Sequence, residues 1–168
     1  MDADLVAEFR AVMGRFATGV TIVSTRVAGF DHAMTANSFS SVSLDPLMVL
    51  VCVERDTRFH EAVVDSSHWG VSVLSDLQRR HAVWFATRGR PLLDQFAQVP
   101  FDRGPVSGAP LVRGALASFE CRTVDLHQAG DHDLLIGEVV TLNPVEPAGG
   151  PLLYWASNYH HLGTELPD

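Results

Sequence analysis

Lysine is missing from this sequence, and all twelve basic residues are arginines. No side chain can form a lysine Schiff base and no Walker-type lysine can meet a phosphate, which excludes pyridoxal enzymes and P-loop enzymes together. Cysteine is scarce. Cys52 and Cys121 each lie inside an apolar strand-like run, and the N-terminal segment lacks the charged start and long apolar stretch of a signal peptide, so a reducing cytoplasm is expected. The longest apolar run, Leu47 to Val53, falls far short of the roughly 20 residues that span a bilayer. No membrane segment is expected. An excess of positive charge is also absent: the net charge is −8 and the pI about 5.3, whereas nucleic-acid binders need a basic face. There is no internal repeat and no low-complexity tract, only Gly/Pro-rich connectors at Gly104 to Pro110 and Pro144 to Pro151.

What is present suffices for one domain with a core across residues 1–168, since 46% of the residues are hydrophobic and no composition shift divides the chain. The most informative stretch is Met34 to Val53. Six hydrogen-bonding side chains fall between Thr35 and Ser43 (Thr35, Asn37, Ser38, Ser40, Ser41, Ser43), although Ser and Asn fill regular strands poorly. Short hydroxyl and amide groups with little bulk let a flat polar ligand approach the backbone. From the residues alone this segment reads either as a ligand face or as a polar strand facing water. Asp45-Pro46 turns the chain, and Leu47 to Val53 is a continuous apolar run, the pattern of a strand buried on both faces.

Leu5, Phe9, Val12, Met13 and Phe16 recur at helical spacing, so a helix with a core-facing apolar side is expected from Asp4 to Phe16, ending near Gly14 or Gly19. Val20 to Thr25 reads as a strand, and Ala28 to Asp31 as the turn of a hairpin. Thr57 can cap a helix from Phe59 to about Val64. Trp69 to Leu74 is a further strand, and Ser75 with Gln78 forms a capping box that opens a helix to about Thr87. Gly and Pro then keep the chain irregular as far as a long strand from Ala115 to Leu126. Gln128 to Asp131 is its turn, Leu134 to Leu142 its partner, and Leu152 to Trp155 a last short strand. Six or seven strands joined by short hairpin links favour a closed or partly open antiparallel barrel, because parallel units would demand a helix after nearly every strand.

Four stretches, in this order and spacing, resemble one family: Phe9 to Thr25, Ala33 to Val53, Gly130 to Val139 and Pro151 to Tyr159. The chain is similar to the flavin reductase-like proteins, whose fold is an FMN-binding split β-barrel, mainly antiparallel β with flanking helices. They are the small components of two-component flavin-dependent monooxygenases. The resemblance implies an NAD(P)H:flavin oxidoreductase that takes NADH or NADPH, reduces FMN or FAD, and releases the reduced flavin to a partner monooxygenase. Hydride passes directly between the two rings, so the protein orients them and need supply no general base. That accords with a sequence that shows no acid–base dyad and no nucleophile motif.

On the same resemblance, Thr35, Ala36, Asn37 and Ser38 lie along the flavin, and Cys52 and Val53 present backbone groups to its ring. Arg58, beside the helix start at Thr57, suits a phosphate, because a guanidinium fork and exposed helix N–H groups both favour a dianion. On chemistry alone it is equally a solvated surface arginine. Asp56 and Phe59 stand where many relatives carry Ser and Thr, and Asp56 would repel a phosphate it faced; Arg88 or Arg90 is then the compensating charge. His132, between Asp131 and Asp133, reads by itself as a polar turn residue, and the Gly130-Asp131-His132 match makes it the group that positions the nicotinamide. The remaining histidines show no metal-ligand spacing and His60-Glu61 lacks the second histidine of a zinc-protease helix, so no metal is expected. A homodimer is implied as well. FMN and FAD share the ring and first phosphate, and no Rossmann pattern separates NADH from NADPH. Two other readings remain open: a flavin-binding, non-catalytic partner subunit of an oxygenase, and a split-barrel oxidoreductase using a deazaflavin.

Overall fold

The chain, described here by a computed structural model over residues 2–144 and 149–163, begins with helix α1 (Ala3–Met13). Asp2 caps it by accepting the Asp4 N–H at 3.0 Å. The expected core-facing stripe does not meet this chain's core. No residue of α1 is buried; Leu5, Phe9, Val12 and Met13 are at least half exposed, and so is Phe16 beyond the helix. The reason lies in its attachment, for the helix is fastened at its C-terminal end. There the Ala156 N–H donates to the Gly14 carbonyl at 2.7 Å and Trp155 Nε1–H to the Arg15 carbonyl at 3.2 Å.

After β1 (Thr18–Gly19), strands β2 (Thr21–Val27) and β3 (Phe30–Ala36) form the expected hairpin. Ala28 and Gly29 turn it with φ of 49° and 86°, the doubly left-handed turn whose twist matches paired strands. Asn37 and Ser38 lead into β4 (Phe39–Leu44), and Asp45-Pro46 returns the chain as β5 (Leu47–Glu54). Helix α2 (Arg58–Asp65) follows, then β6 (His68–Val73), a 3-10 turn at Asp76–Gln78 and α3 (Arg79–Ala86). The Ser75 N–H donates to Gln78 Oε1 at 3.1 Å, as its capping pattern predicts. The tract expected to be irregular holds a short hairpin, β7 (Phe101–Arg103) with β8 (Pro110–Val112), because pairing survives between its Gly and Pro residues. Strands β9 (Ala117–Ala129) and β10 (His132–Pro144) are joined by Gly130 and Asp131. This turn is tighter than expected, so His132 opens a strand. β11 (Leu152–Trp155) lies where a last strand was expected, and β12 (Asn158–His161) pairs with it. The connector at 144–151 falls in part outside the described residues.

Seven strands make one antiparallel sheet in the order β3-β2-β6-β9-β10-β5-β4. Its two edge strands, β3 and β4, are consecutive in the chain and separated by Asn37 and Ser38. The sheet therefore curls until its edges meet at that crossing without pairing along their length, the split antiparallel barrel expected from the sequence. The Cys52 N–H donates to the Ser38 carbonyl at 3.2 Å beside the split. Inside the curl Val23, Val51, Val53, Trp69, Val71 and Leu135 form the main core; Ile22, Leu74, Ala82, Phe85 and Phe96 form a second one under α3.

β5 departs from the sequence reading. Val49, Val51 and Val53 are buried, while Met48, Leu50 and Cys52 on its other face are partly open. The strand borders the split, so this chain covers one of its faces and leaves the other accessible. Behind the barrel, the fully buried Glu120 carboxylate accepts hydrogen bonds from the Ser107 N–H and hydroxyl (both 2.6 Å), the Val106 N–H (3.1 Å) and the Thr141 hydroxyl (2.9 Å). A Cβ at Gly104 would stand 2.2 Å from its Oε1, so that position has room for glycine alone.

Candidate functional site: a cleft at the split of the barrel

A cleft of about 540 Å³ opens where β3 and β4 part. One wall is β3 with the Asn37-Ser38 crossing; the others are the end of β5, the first turn of α2, the segment after α3, and His132 from the start of β10. Nine residues expected at a site from the sequence line this one cleft: Thr35, Ala36, Asn37, Ser38, Cys52, Thr57, Arg58, Arg88 and His132. Val53 does not. Its side chain is fully buried in the barrel core, because alternation along β5 turns it opposite to Cys52, which leaves its backbone groups, the ones expected at the ring, as all it can offer a ligand.

The polar ribbon divides its hydrogen bonds between the fold and the cleft. Thr35 Oγ1 donates to the Ala82 carbonyl of α3 at 2.7 Å, and the Ala36 carbonyl accepts from Thr21 Oγ1 at 3.0 Å. Ser38 Oγ lies 3.3 Å from both the N and the O of Cys52. Asn37 is exposed, and among the described residues its amide has no hydrogen-bond partner. It therefore presents free donors and an acceptor to the cleft.

The α2 start is built as its sequence predicts. Thr57 Oγ1 accepts the His60 N–H at 3.2 Å and donates to the Glu54 carbonyl at 2.7 Å, which holds the helix N-terminus against the end of β5. Arg58 donates to the Arg90 carbonyl. Arg90 in turn donates to the carbonyls of Phe85 and Ala33, each at 2.8 Å, and to that of Thr87, with its guanidinium over the Phe85 ring. It latches the loop after α3 onto β3. Burial, and next the neighbouring Arg58, lower the pKa of Arg90. Among the described residues neither Arg58 nor Arg90 pairs with a carboxylate, so the cleft carries uncompensated positive charge. Asp56 and Phe59 also line it, Asp56 exposed and Phe59 packed into the core behind the cleft wall. Arg88, the other compensating charge expected, is matched by Glu54.

His132 lies beside Glu54 in register, with Nδ1 2.7 Å from Asp131 Oδ1. This contact holds the Asp131 carboxyl below its usual range. Among the cleft residues that sequence reasoning passed over are His32 and Gln95. His32 lines the cleft from β3, with a pKa lowered by burial and then by Arg58; Gln95 reaches in from beyond α3 and carries no recognisable motif.

A family model described as "Flavin reductase like domain" matches residues 13–163. The chain belongs to this family. Among its relatives, an NADH-dependent FAD reductase of Streptomyces globisporus is 45% identical over 136 residues, covering 80% of this chain and 74% of the relative. Two longer relatives are spanned over about half their length, 55% and 41%. Of solved structures, the S. globisporus C-1027 NADH:FAD oxidoreductase SgcE6, in complex with NAD and FAD fragments, superposes with a TM-score of 0.91 at 36% identity. That match covers 99% of this chain and 98% of the other. BorF, the flavin reductase component of a bacterial two-component tryptophan halogenase, gives 0.89 at 40% identity over 95% and 99% of the two chains.

Proposed function

We propose that this flavin reductase family member oxidises NADH and reduces FAD or FMN, and that the reduced flavin leaves for a separate flavin-dependent monooxygenase component. The observation that carries the reading is the convergence of Asn37, Ser38, Cys52, Arg58 and His132, from four separate elements, on one cleft. The cleft fits the group. Its volume lies within the range of about 300–1,000 Å³ for small-molecule sites, Asn37 has unused hydrogen-bonding capacity, and Arg58 and Arg90 supply positive charge for a phosphate.

When bound, the flavin supplies the hydride acceptor and the nicotinamide the donor; the chain's part is to bind and orient them. Asn37, Ser38 and the Cys52 backbone meet the ring, and Arg58 with the free N–H groups of the α2 start holds the phosphate. Asp56 on the cleft wall opposes that charge, and the two arginines offset it. His132, on the cleft wall beside Glu54, positions the nicotinamide. NADH is the donor named for the S. globisporus relative and solved structure above, which favours it over NADPH here. The protein works as a homodimer that covers α1. Its cysteines are unpaired, in keeping with a cytoplasmic setting, and no helix is long and apolar enough to cross a membrane among the described residues.

The test is steady-state turnover of the purified chain with all four pairings of FMN or FAD with NADH or NADPH, followed at the nicotinamide absorbance. Flavin-dependent oxidation of NADH is expected. Flavin binding with no turnover in any pairing would make the protein a non-catalytic flavin-binding subunit instead.

A further inference from the structure

His60 and Asp133 are distant in sequence and touch beneath the cleft. His60 Nε2 lies 2.7 Å from Asp133 Oδ2, and Arg55 Nε lies 3.6 Å from the other carboxylate oxygen. Asp133 is 6% exposed. His60 is in the first turn of α2, where its N–H is the one the Thr57 cap accepts, two residues beyond Arg58. Asp133 directly follows His132. The contact thus joins the segment offering Arg58 to the segment offering His132.

The hairpin is otherwise held in the sheet through β10 alone, which pairs with β5 as far as His132 beside Glu54. Strand β6 flanks β9 no further than Arg122 in register, so the outer part of β9 up to Ala129 has β10 on one side only. Gly130 and Asp131 are exposed, and a gap of about 350 Å³ lined by Arg55, Asp56, His60, Gly130 and Asp131 separates the tip from the β5–α2 turn. Across it runs one main-chain bond, from the Arg55 N–H to the Asp131 carbonyl at 3.1 Å. The α2 side is firmer, because Phe59, Ala62 and Val63 are buried in the core.

We propose that Asp133, gripping His60, is a positioning residue that fixes the His132 hairpin against the phosphate-binding turn. The proposal rests on the flavin-reductase reading. Two reactants must be held close to their productive geometry, so a tether that slackens costs rate and nicotinamide affinity while the flavin, held from the firm side, is retained.

The test compares full-length Asp133→Asn, His60→Gln and the double variant for nicotinamide KM and kcat, flavin Kd by fluorescence titration, thermal unfolding and amide exchange at 129–132. Each single variant should raise KM about fivefold or more, lower kcat and speed exchange at the tip. Flavin Kd should stay within about twofold, and the double variant should be no worse than the worse single, since one link is cut in both. Unchanged KM and kcat, effects that multiply in the double variant, or a flavin Kd that moves in step with KM would each overturn the proposal. The last is what a merely structural role predicts. A wild-type protein that oxidises no nicotinamide would defeat the functional reading instead. The tether would then be judged by exchange, and unchanged exchange in both single variants would reject it.

Discussion

Arg88 lies against Glu54, its Nη2 donating to the two carboxylate oxygens at 2.7 and 2.5 Å, while Arg58 meets no carboxylate among the described residues. Arg58 and Arg88 are therefore not equivalent, although both line the cleft. Arg88 is 80% exposed and already compensated, so it contributes little to an incoming anion. Arg58 stands at a helix start with its charge available. Arg58→Ala should weaken flavin binding by about 1.5–3 kcal/mol, the usual worth of a hydrogen bond to a charged group. That is roughly ten- to a hundredfold in Kd. Arg88→Ala should change it several-fold less. Fluorescence titration with FMN and FAD checks both, and equal losses would contradict the distinction.

His132 divides the two substrates in the other direction. It reaches the cleft from the hairpin rather than from α2, and its ring is oriented by Asp131. His132→Ala should raise the KM for NADH more than that for flavin, by about tenfold against less than threefold, as expected for a group that orients one partner. Initial rates with each substrate varied in turn would show this. A larger effect on flavin would place the ring against the isoalloxazine.

Much of this site was legible because its parts are local in sequence. Thr57 caps α2 as its position predicts, and the hydroxyl-rich ribbon before a greasy strand marked the split of the barrel. What escaped the sequence depends on distant partners. Which side chains of β5 face the cleft is decided by the curl of the sheet, since an unbroken apolar run carries no period. The stripe on α1 has helical spacing whether it packs on its own chain or on another. The His60–Asp133 pair joins the start of a helix to the start of a strand that nothing in the intervening sequence connects, and the Arg90 latch uses backbone carbonyls, which every residue has.

Glu120 gives a pH dependence whose sign can be worked out. Burial alone would raise its pKa, but the hydrogen bonds from Ser107, Thr141 and Val106 outweigh this and leave the carboxyl below its usual range. The folded state thus favours the ionised form. Its stabilisation is fully present above the unfolded Glu value of about 4.3 and is lost as pH falls through the lowered folded value. Glu120→Gln should cost about 1–3 kcal/mol at neutral pH, because an amide group turns N–H toward donors. Thermal unfolding from pH 7 to pH 3 should then show a steeper acid decline for the wild type than for the variant. Parallel curves would remove Glu120 as the source of the dependence.

The bare stripe of α1 leads to the last prediction. Leu5 and Phe9 are 61% and 63% exposed, and the barrel flank adds Val42, Leu44 and Leu142, each more than half exposed. Fully burying such a side chain is worth about 1.5–3 kcal/mol, so a second copy that covers the helix gains several such terms at once, and by symmetry gains them twice. Sedimentation of the wild type should therefore report two copies, with a melting temperature that rises with protein concentration. Leu5→Glu with Phe9→Glu removes two apolar anchors and would bury two carboxylates in the contact, which should weaken association by about a hundredfold or more. Neither residue lines the cleft, so flavin affinity of the separated copies shows whether each cleft is complete within one chain. A wild type that sediments as a single copy at all concentrations would leave the stripe without the partner assigned to it.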